Sequence, residues 1–307
     1  AGNTIGASTV VYAGSLTTFT DTGLTNGTGY YYKVFPRDGC VNYNAGTQTG
    51  PHQPVAKTTT VGNGTNPSDA SRAPGGAVAP MDTFTLQTST GSDTVTAATV
   101  TLATGTAAGL SRVGIWSGSA CTGTEYGFVS SPATDAVAIT LATNITATTT
   151  LTSYYVCVTP RTHANMPAPP GATYAVAGTV TSITSTNTKI YSDTGSATVT
   201  IDNLSPGNAT WGTVTPGDAQ VAVNWTNPAD ADFSQVVILR NTTSITDTPV
   251  EGTTYAQDGT IGTSTVRYVG NLQTFTDTGL TNGTDYWYKV FAKDANGNYS
   301  ANGVATG

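Results

Sequence analysis

Apolar and polar residues alternate in short runs along most of the chain. Between residues 81 and 203 about eight such runs follow one another, among them DTFTLQT, DTVTAATVTL, AVAITLA and SYYVCVT. A period of two is typical of strands that bury one face, and regular spacing of short strands favours a β-sandwich. The pattern therefore predicts an all-β protein built of tandem sandwiches, with almost no helix.

The chain also contains an internal repeat. Residues 1–50 align with residues 257–306 without a gap, and 29 of the 50 positions are identical at a constant offset of 256. Both copies contain TDTGLTNGT, followed by an aromatic run that ends in Lys-Val-Phe. A repeat of this period indicates two copies of one domain type separated by a different one.

In each copy a leucine precedes a tyrosine by six residues, with a Gly-containing turn between them. The pairs are Leu24 with Tyr30 and Leu280 with Tyr286. This arrangement resembles the tyrosine corner of fibronectin type III domains. The resemblance implies a structural role, in which the ring fills the sandwich core and the hydroxyl satisfies backbone groups at the corner.

The resemblance extends over about 100 residues at the carboxyl end, where Trp225 stands for the buried tryptophan of strand B and DANGN for the last hairpin turn. Residues 204–307 are thus expected to form a nearly complete fibronectin type III-like domain with a truncated last strand. Residues 1–60 resemble only strands C′ to G of such a domain. In that part the expected strands are Ser8–Gly14 (C′), LTTFT (E), GYYYKVF (F) and Pro54–Val61 (G).

Two further segments complete the predicted organisation. Residues 61–80 are rich in Gly, Pro, Asn and Ser and show no periodicity, which predicts a linker. Residues 81–203 carry the alternating runs and are expected to form an immunoglobulin-like sandwich.

Three cysteines bear on the compartment. Cys121 and Cys157 lie 36 residues apart in the predicted central sandwich. In an exported β-domain this favours a disulfide, and two buried thiols are the alternative. Cys40 has no partner in its own segment and is expected to be a free thiol or to bond to another chain.

The composition argues against several classes of partner. Eleven basic residues against 18 acidic ones give a net charge of −7, so no basic patch is available for nucleic acid. No apolar run is long enough to span a bilayer. An extracellular or cell-surface location, in a bacterium, fits these features.

Catalytic chemistry is not expected. His52 and His163 both lie in proline-containing loops, and the two glutamates, Glu125 and Glu251, belong to different domains. No nucleophile–base pair or opposed carboxylate pair is indicated, and no cofactor is predicted.

Three aspartates are weak candidates for calcium ligands, Asp230, Asp232 and Asp294. They alternate with other residues in loops, as calcium ligands do. Turn capping by aspartate is the preferred interpretation, because the first copy has Cys40 where the second has Asn296.

One pair of aromatic residues is a candidate contact surface. Tyr31 and Trp287 occupy equivalent positions on the predicted F strands and should face away from the corner tyrosines. An outward aromatic residue suits sugar stacking or a subunit contact, and cross-strand packing is the plain alternative.

Two hypotheses for function follow. An incomplete first sandwich would expose apolar residues and strand edges. Either the sequence is a window on a longer polypeptide, or another subunit supplies the absent strands. The second explanation predicts a subunit of a fibre or cell-surface layer that self-associates head-to-tail. The alternative hypothesis is a carbohydrate- or adhesion-type binding module of a larger secreted protein.

Overall fold

The computed structural model describes residues 1–306, and its regular elements are β-strands with two short 3₁₀ turns, Thr106–Gly109 and His163–Asn165. The prediction of an all-β protein is confirmed. The chain divides into two compact units, residues 1–58 and residues 59–307. We call the first the N-terminal unit. The second contains a central sandwich, residues 59–203, and a C-terminal domain, residues 204–306.

The N-terminal unit has two separate hairpins. Its strands are β1 (Thr4–Ile5), β2 (Ser8–Thr9), β3 (Tyr30–Val34) and β4 (Thr47–His52). β1 pairs with β2 and β3 pairs with β4, both antiparallel. Every residue from 1 to 58 remains at least partly exposed. This unit therefore has no buried core of its own.

Three of the strands expected in this unit differ from the prediction. Only Ser8 and Thr9 of the Ser8–Gly14 segment are in a strand, and residues 16–20 (LTTFT) form none. The strand beside β3 is β4, not Pro54–Val61. A segment with alternating apolar and polar side chains does not form a strand when no neighbouring strand pairs with its backbone.

The central sandwich contains twelve strands. In chain order they are β5 (Thr58–Asn63), β6 (Ala70–Arg72), β7 (Ala79–Thr88), β8 (Asp93–Leu102), β9 (Leu110–Gly118), β10 (Thr122–Ser130), β11 (Ala136–Ala147), β12 (Thr152–Pro160), β13 (Thr173–Val176), β14 (Gly178–Thr184), β15 (Thr188–Ser192) and β16 (Val199–Asp202). They form a six-stranded sheet in the order β10-β9-β12-β7-β5-β15 and two three-stranded sheets, β11-β8-β14 and β13-β16-β6.

The core of this sandwich comes from the inward positions of the alternating runs. Phe84 and Leu86 of β7, Val100 of β8 and Ile139 of β11 are essentially inaccessible to solvent and belong to one apolar cluster. Side chains two residues apart share a face of a strand, so the period of two in the sequence becomes one buried face per sheet.

The prediction of a linker over residues 61–80 is wrong. β5 pairs antiparallel with β7, where Val61 lies opposite Leu86, and Val61 is fully buried. β6 pairs in parallel with β16, where Ala70 lies opposite Val199. Local composition missed these pairings because it carries no information about which strands pair with the segment. Residues 61–80 are therefore an integral part of the central sandwich.

The C-terminal domain contains eight strands. They are β17 (Thr210–Gly217), β18 (Gln220–Thr226), β19 (Phe233–Asn241), β20 (Thr260–Ile261), β21 (Ser264–Gly270), β22 (Thr274–Thr278), β23 (Trp287–Asp294) and β24 (Val304–Thr306). One sheet has the order β17-β18-β22 and the other β20-β21-β19-β23-β24. Trp225 of β18 is buried and belongs to the apolar cluster that includes Val236, Tyr288 and Val290.

Candidate functional site

The corner tyrosines make the same contact in both copies of the repeat. The hydroxyl of Tyr286 accepts a hydrogen bond from the backbone N–H of Thr281 at 3.1 Å, and the hydroxyl of Tyr30 accepts one from Thr25 at 2.9 Å. Leu280 is buried, whereas Leu24 is only partly buried. The tyrosine corner is thus a local structural device that forms whether or not the surrounding domain has a core.

Beyond the corner, equivalent residues of the two copies differ sharply in exposure. Val34 is 64% exposed and its counterpart Val290 is 1% exposed. Tyr43 is 61% exposed and Tyr299 is 1% exposed. Ile5 is 59% exposed and its counterpart Ile261 only 5%. We call Ile5, Val34 and Tyr43 the open positions, because their side chains match core residues but have no core around them.

A buried carboxylate shows the same contrast. Asp277 is fully buried and accepts hydrogen bonds from Arg240, Arg267 and the Tyr288 hydroxyl at 2.9, 2.9 and 3.0 Å. Burial and the nearby carboxylate raise the pKa of Tyr288, so the phenol remains a donor.

The equivalent carboxylate of the N-terminal unit has fewer partners. The counterpart of Asp277 is Asp21, which accepts a hydrogen bond from the Tyr32 hydroxyl at 3.1 Å. The position equivalent to Arg267 is Val11, and the position of Arg240 has no equivalent in residues 1–58. Asp21 therefore has the tyrosine donor without an arginine.

The outward aromatic residues are both accessible. Tyr31 on β3 is 63% exposed and Trp287 on β23 is 37% exposed. Each lies beside a residue that faces the opposite side of its strand, Tyr32 and Tyr288. Their flat rings are available for a partner at equivalent places in the two copies.

Three carboxylates meet where the central sandwich joins the C-terminal domain. Oxygen atoms of Asp202, Asp232 and Asp294 lie within 4.8 Å of one another. Asp202 is the last residue of β16, Asp232 lies in the loop before β19, and Asp294 is the last residue of β23. Burial, followed by a contact with Asp202, raises the pKa of Asp232.

Two of the three weak calcium candidates thus belong to one group, with Asp202 as its third member. Asp230 lies apart and accepts a hydrogen bond from the backbone N–H of Gly207 at 2.9 Å. Three carboxylates at this spacing are oxygen ligands of the kind that Ca²⁺ uses, although they are fewer than its usual set. Sequence reasoning missed Asp202, because it lies about 90 residues from Asp294 in a different sandwich.

The loop that holds Asp294 is an aspartate-capped turn in both copies. Asp294 accepts hydrogen bonds from the backbone N–H groups of Asn296 and Asn298 at 2.9 and 2.8 Å. Asp38 accepts equivalent bonds from Cys40 and Asn42 at 2.9 and 2.8 Å. Because the first copy closes the same turn with a cysteine, turn capping accounts for the loop in both copies. The Cys40 thiol is exposed and free.

The joint between the two sandwiches is held by side chains of this loop. Asn296 donates to the Asp202 carboxylate at 2.9 Å and Asn298 donates to the Asp202 backbone carbonyl at 3.1 Å. His163 Nε2 lies 3.2 Å from the Asn296 carbonyl, and burial lowers the pKa of the imidazole. No motif around His163 indicates this role.

The Cys121–Cys157 disulfide is present, with the Cα atoms 5.9 Å apart. Cys121 lies in the turn between β9 and β10 and Cys157 on β12. All three strands belong to the six-stranded sheet, so this bond fastens a hairpin to a neighbouring strand of the same sheet. In antibody domains, by contrast, the disulfide joins the two sheets.

Two neighbouring carboxyl groups, one buried and one partly buried, lie in the central sandwich. Asp82 of β7 is fully buried, and neither of its oxygens has a hydrogen-bond donor. Burial, then the charge of Asp193 and a hydrogen bond to it, raises the pKa of Asp82 to about 8. Asp193 accepts a hydrogen bond from the Val180 backbone N–H at 2.8 Å. A proton on Asp82 therefore removes the repulsion between two neighbouring carboxylates in a site shielded from water.

The strand order of the C-terminal domain decides its fold. Three strands correspond to A, B and E (β17, β18 and β22), and the strands β21, β19, β23 and β24 correspond to C′, C, F and G. This is the fibronectin type III topology. β20 adds a short strand at the C′ edge. The N-terminal unit has the corner and the F–G hairpin of the same fold.

Comparisons with known proteins found similarity among solved structures alone. No protein-family model and no curated protein match the chain. Among solved structures, titin domains A168–A170 are 12% identical with a TM-score of 0.27, over 92% of this chain and 76% of that one. The fibronectin(III)-like modules of Clostridium thermocellum CbhA are 11% identical with a TM-score of 0.27, over 80% and 90%.

A third similar structure is that of chicken CNTN1 domains FN1–FN3, 10% identical with a TM-score of 0.28, over 90% of this chain and 76% of that one. At these scores the strand order, not the overall superposition, carries the fold assignment.

Proposed function

We propose that this protein is an extracellular structural protein, a subunit of a fibre or cell-surface layer. The observation that carries the proposal is the exposure of Ile5, Val34 and Tyr43 beside the burial of their counterparts in the C-terminal domain. Apolar side chains that stay exposed in a unit with open strand edges favour association with another surface.

The remaining features support a mechanical role. The central sandwich and the C-terminal domain are joined by direct hydrogen bonds through Asp202, Asn296 and Asn298, which favours a stiff arm over a hinge. A disulfide fits an oxidising compartment. No helix among residues 1–306 is long and apolar enough to cross a membrane. Head-to-tail contacts between subunits of this kind generate open filaments.

Sedimentation velocity and negative-stain microscopy over a range of concentrations test the proposal. We expect assemblies that grow with concentration and that are lost in a Val34→Asp, Tyr43→Asp double variant. The matched control is Leu16→Asp, since Leu16 and its counterpart Leu272 are both exposed, at 73% and 61%. Monomers of the unaltered protein at all concentrations would count against the fibre.

A second candidate function is glycan binding. The observation in its favour is the exposure of Tyr31 and Trp287 at equivalent outward positions, since accessible aromatic faces stack on sugar rings. A glycan array with the native protein and a Trp287→Ala variant tests it. Saturable binding that the variant loses would support this function, and equal signals from both proteins would reject it.

A further inference from the structure

Residues 193–197, between β15 and β16, contact both sheets of the central sandwich. The backbone N–H of Val180 on β14 donates to the Asp193 carboxylate at 2.8 Å, and the N–H of Ala197 donates to a backbone carbonyl of β7 at 2.8 Å. Asp82 of β7 is close enough to Asp193 for a hydrogen bond between the two carboxyl groups. The two groups therefore face each other at a place that β7 and β14 both define.

Three oxygens of this pair are buried without a hydrogen-bond partner. They are both oxygens of Asp82, which is fully buried, and Oδ1 of Asp193. The ion pairs found within residues 1–306 involve other carboxylates. Because ionised carboxylates only accept hydrogen bonds, two that face each other cannot satisfy one another. Buried polar atoms of this kind point to a bound water or ion.

A proton resolves only part of this arrangement. One proton cancels one of the two charges and bridges one oxygen of Asp82 to Asp193, so the other oxygen of Asp82 still lacks a donor. A divalent cation between the two carboxylates would cancel both charges and contact oxygens of both side chains. The chemistry of the pair therefore favours a divalent cation over a proton alone.

The other group of aspartates differs in this respect. Asp294 accepts a hydrogen bond from the backbone N–H of Asn296 at 2.9 Å, and Asp202 accepts one from the Asn296 side-chain amide at 2.9 Å. Protein donors thus satisfy these carboxylates without an ion. The pair of Asp82 and Asp193 instead keeps three buried oxygens without a donor.

Ligand type, hydration and access favour Ca²⁺ as the cation. Carboxylate oxygens suit Ca²⁺ and Mg²⁺ better than softer metals. Mg²⁺ usually keeps several of its water molecules, for which the fully buried Asp82 leaves little room. Asp193 is partly exposed, so an ion can enter from solvent on that side. Water molecules on the same side can complete the about six to eight oxygen ligands that Ca²⁺ takes.

We propose that Asp82 and Asp193 form a Ca²⁺ site that ties residues 193–197 to β7 and β14. In calcium-free solution a proton on Asp82 relieves the repulsion instead. Two carboxylates are a small ligand set, so we expect a dissociation constant of about 0.1–1 mM, the range of extracellular calcium modules. The site goes beyond the proposed function, because it does not depend on how subunits associate.

Hydrogen exchange of the full chain, with and without CaCl₂, tests the site. The amides of Val180 and Ala197 are the reporters, because both lie in the contacts that hold residues 193–197 in place. At about tenfold excess of CaCl₂ over the dissociation constant, we expect both amides to exchange about tenfold more slowly than in EDTA, since opening must release the ion. Unchanged exchange at both amides in about 10 mM CaCl₂, the excess over the weakest expected affinity, would overturn the proposal.

Three variants separate this site from a general effect of calcium. Asp82→Asn keeps the shape of the side chain without its charge and should abolish the slowing at both reporters. Asp193→Asn should do the same, and it changes a partly exposed residue that the fold tolerates more easily. Asp285→Asn, at an exposed aspartate, is the matched control and should keep the full effect. Equal slowing in all three variants would overturn the site.

A second reporter distinguishes this pair from the other group of aspartates. The amide of Asn298 donates to the Asp294 carboxylate at 2.8 Å and so reports binding at that group. Slowing at Asn298 alone would place calcium there and overturn the assignment to Asp82 and Asp193. Equal slowing by MgCl₂ at the same concentration would overturn the choice of Ca²⁺.

Discussion

Val34 and Val290 are the same residue of the same repeat, and one is 64% exposed where the other is 1% exposed. Both are in strands that follow a tyrosine corner, β3 and β23. Local sequence therefore determines the strand and the corner, whereas burial depends on packing against β18 and β19, which have no equivalents among residues 1–58.

The difference in burial between the two valines should produce a difference in stability when each is replaced by alanine. Val290→Ala removes buried methyl groups from the cluster around Trp225, and we expect a loss of about 1–3 kcal/mol in the free energy of unfolding. Val34→Ala should change stability by less than about 0.5 kcal/mol in dilute solution. Amide exchange at β23 and β3 measures the two effects, and equal effects would contradict the comparison.

The corner hydroxyl should contribute measurably in the C-terminal domain. Tyr286→Phe removes the acceptor of the Thr281 backbone N–H, and we expect a loss of about 0.5–1.5 kcal/mol. Denaturant unfolding followed by tryptophan fluorescence measures it. Tyr30→Phe is the control, because water can replace its bond to Thr25 in the exposed unit. A null effect at Tyr286 would mean that water satisfies this amide as well.

These residues illustrate which features the sequence could predict. The corner was predictable because Tyr286 bonds to a backbone group only five residues away. The linker prediction failed because β6 pairs with β16, in which Ala70 lies opposite Val199. Turn-forming residues describe local conformation and carry no information about a partner so distant.

The neighbouring carboxyl groups of Asp82 and Asp193 were harder to predict from the sequence. Asp82 shares its strand face with Phe84 and Leu86, so a charge in register with two core residues was visible in DTFTLQT. Its partner Asp193 was not, because it lies about 110 residues further along the sequence, just after β15. The strand predictions for the N-terminal unit were wrong for a different reason. The side chains there alternate as in a strand, but residues 1–58 contain no neighbouring strands for them to pair with.

The disulfide should be a main support of the central sandwich. Cys121→Ala with Cys157→Ala opens a loop of 36 residues, and loop entropy predicts a loss of about 3–4 kcal/mol. Thermal unfolding with and without reductant measures it. Because Cys40 is exposed and unpaired, Cys40→Ser should leave the unfolding temperature unchanged. A comparable shift from both changes would contradict the assignment.

Stability of the central sandwich should fall at alkaline pH because of Asp82. The folded-state pKa of Asp82 is about 8, above the ordinary value of 3.8, since burial and Asp193 oppose its ionisation. A raised pKa means that the folded state holds the proton more tightly. The stabilisation is therefore fully present below about pH 4. It is lost as pH rises through 8.

Asp82→Asn removes this titration while its amide can still donate a hydrogen bond to Asp193. We expect the variant to lose less stability than the native protein between pH 5 and pH 9, because asparagine has no proton to release. Denaturant unfolding across that range measures the two slopes, with the exposed Asp285→Asn as a control that keeps the native slope. Parallel slopes for Asp82→Asn and the native protein would show that the proton on Asp82 does not stabilise the central sandwich.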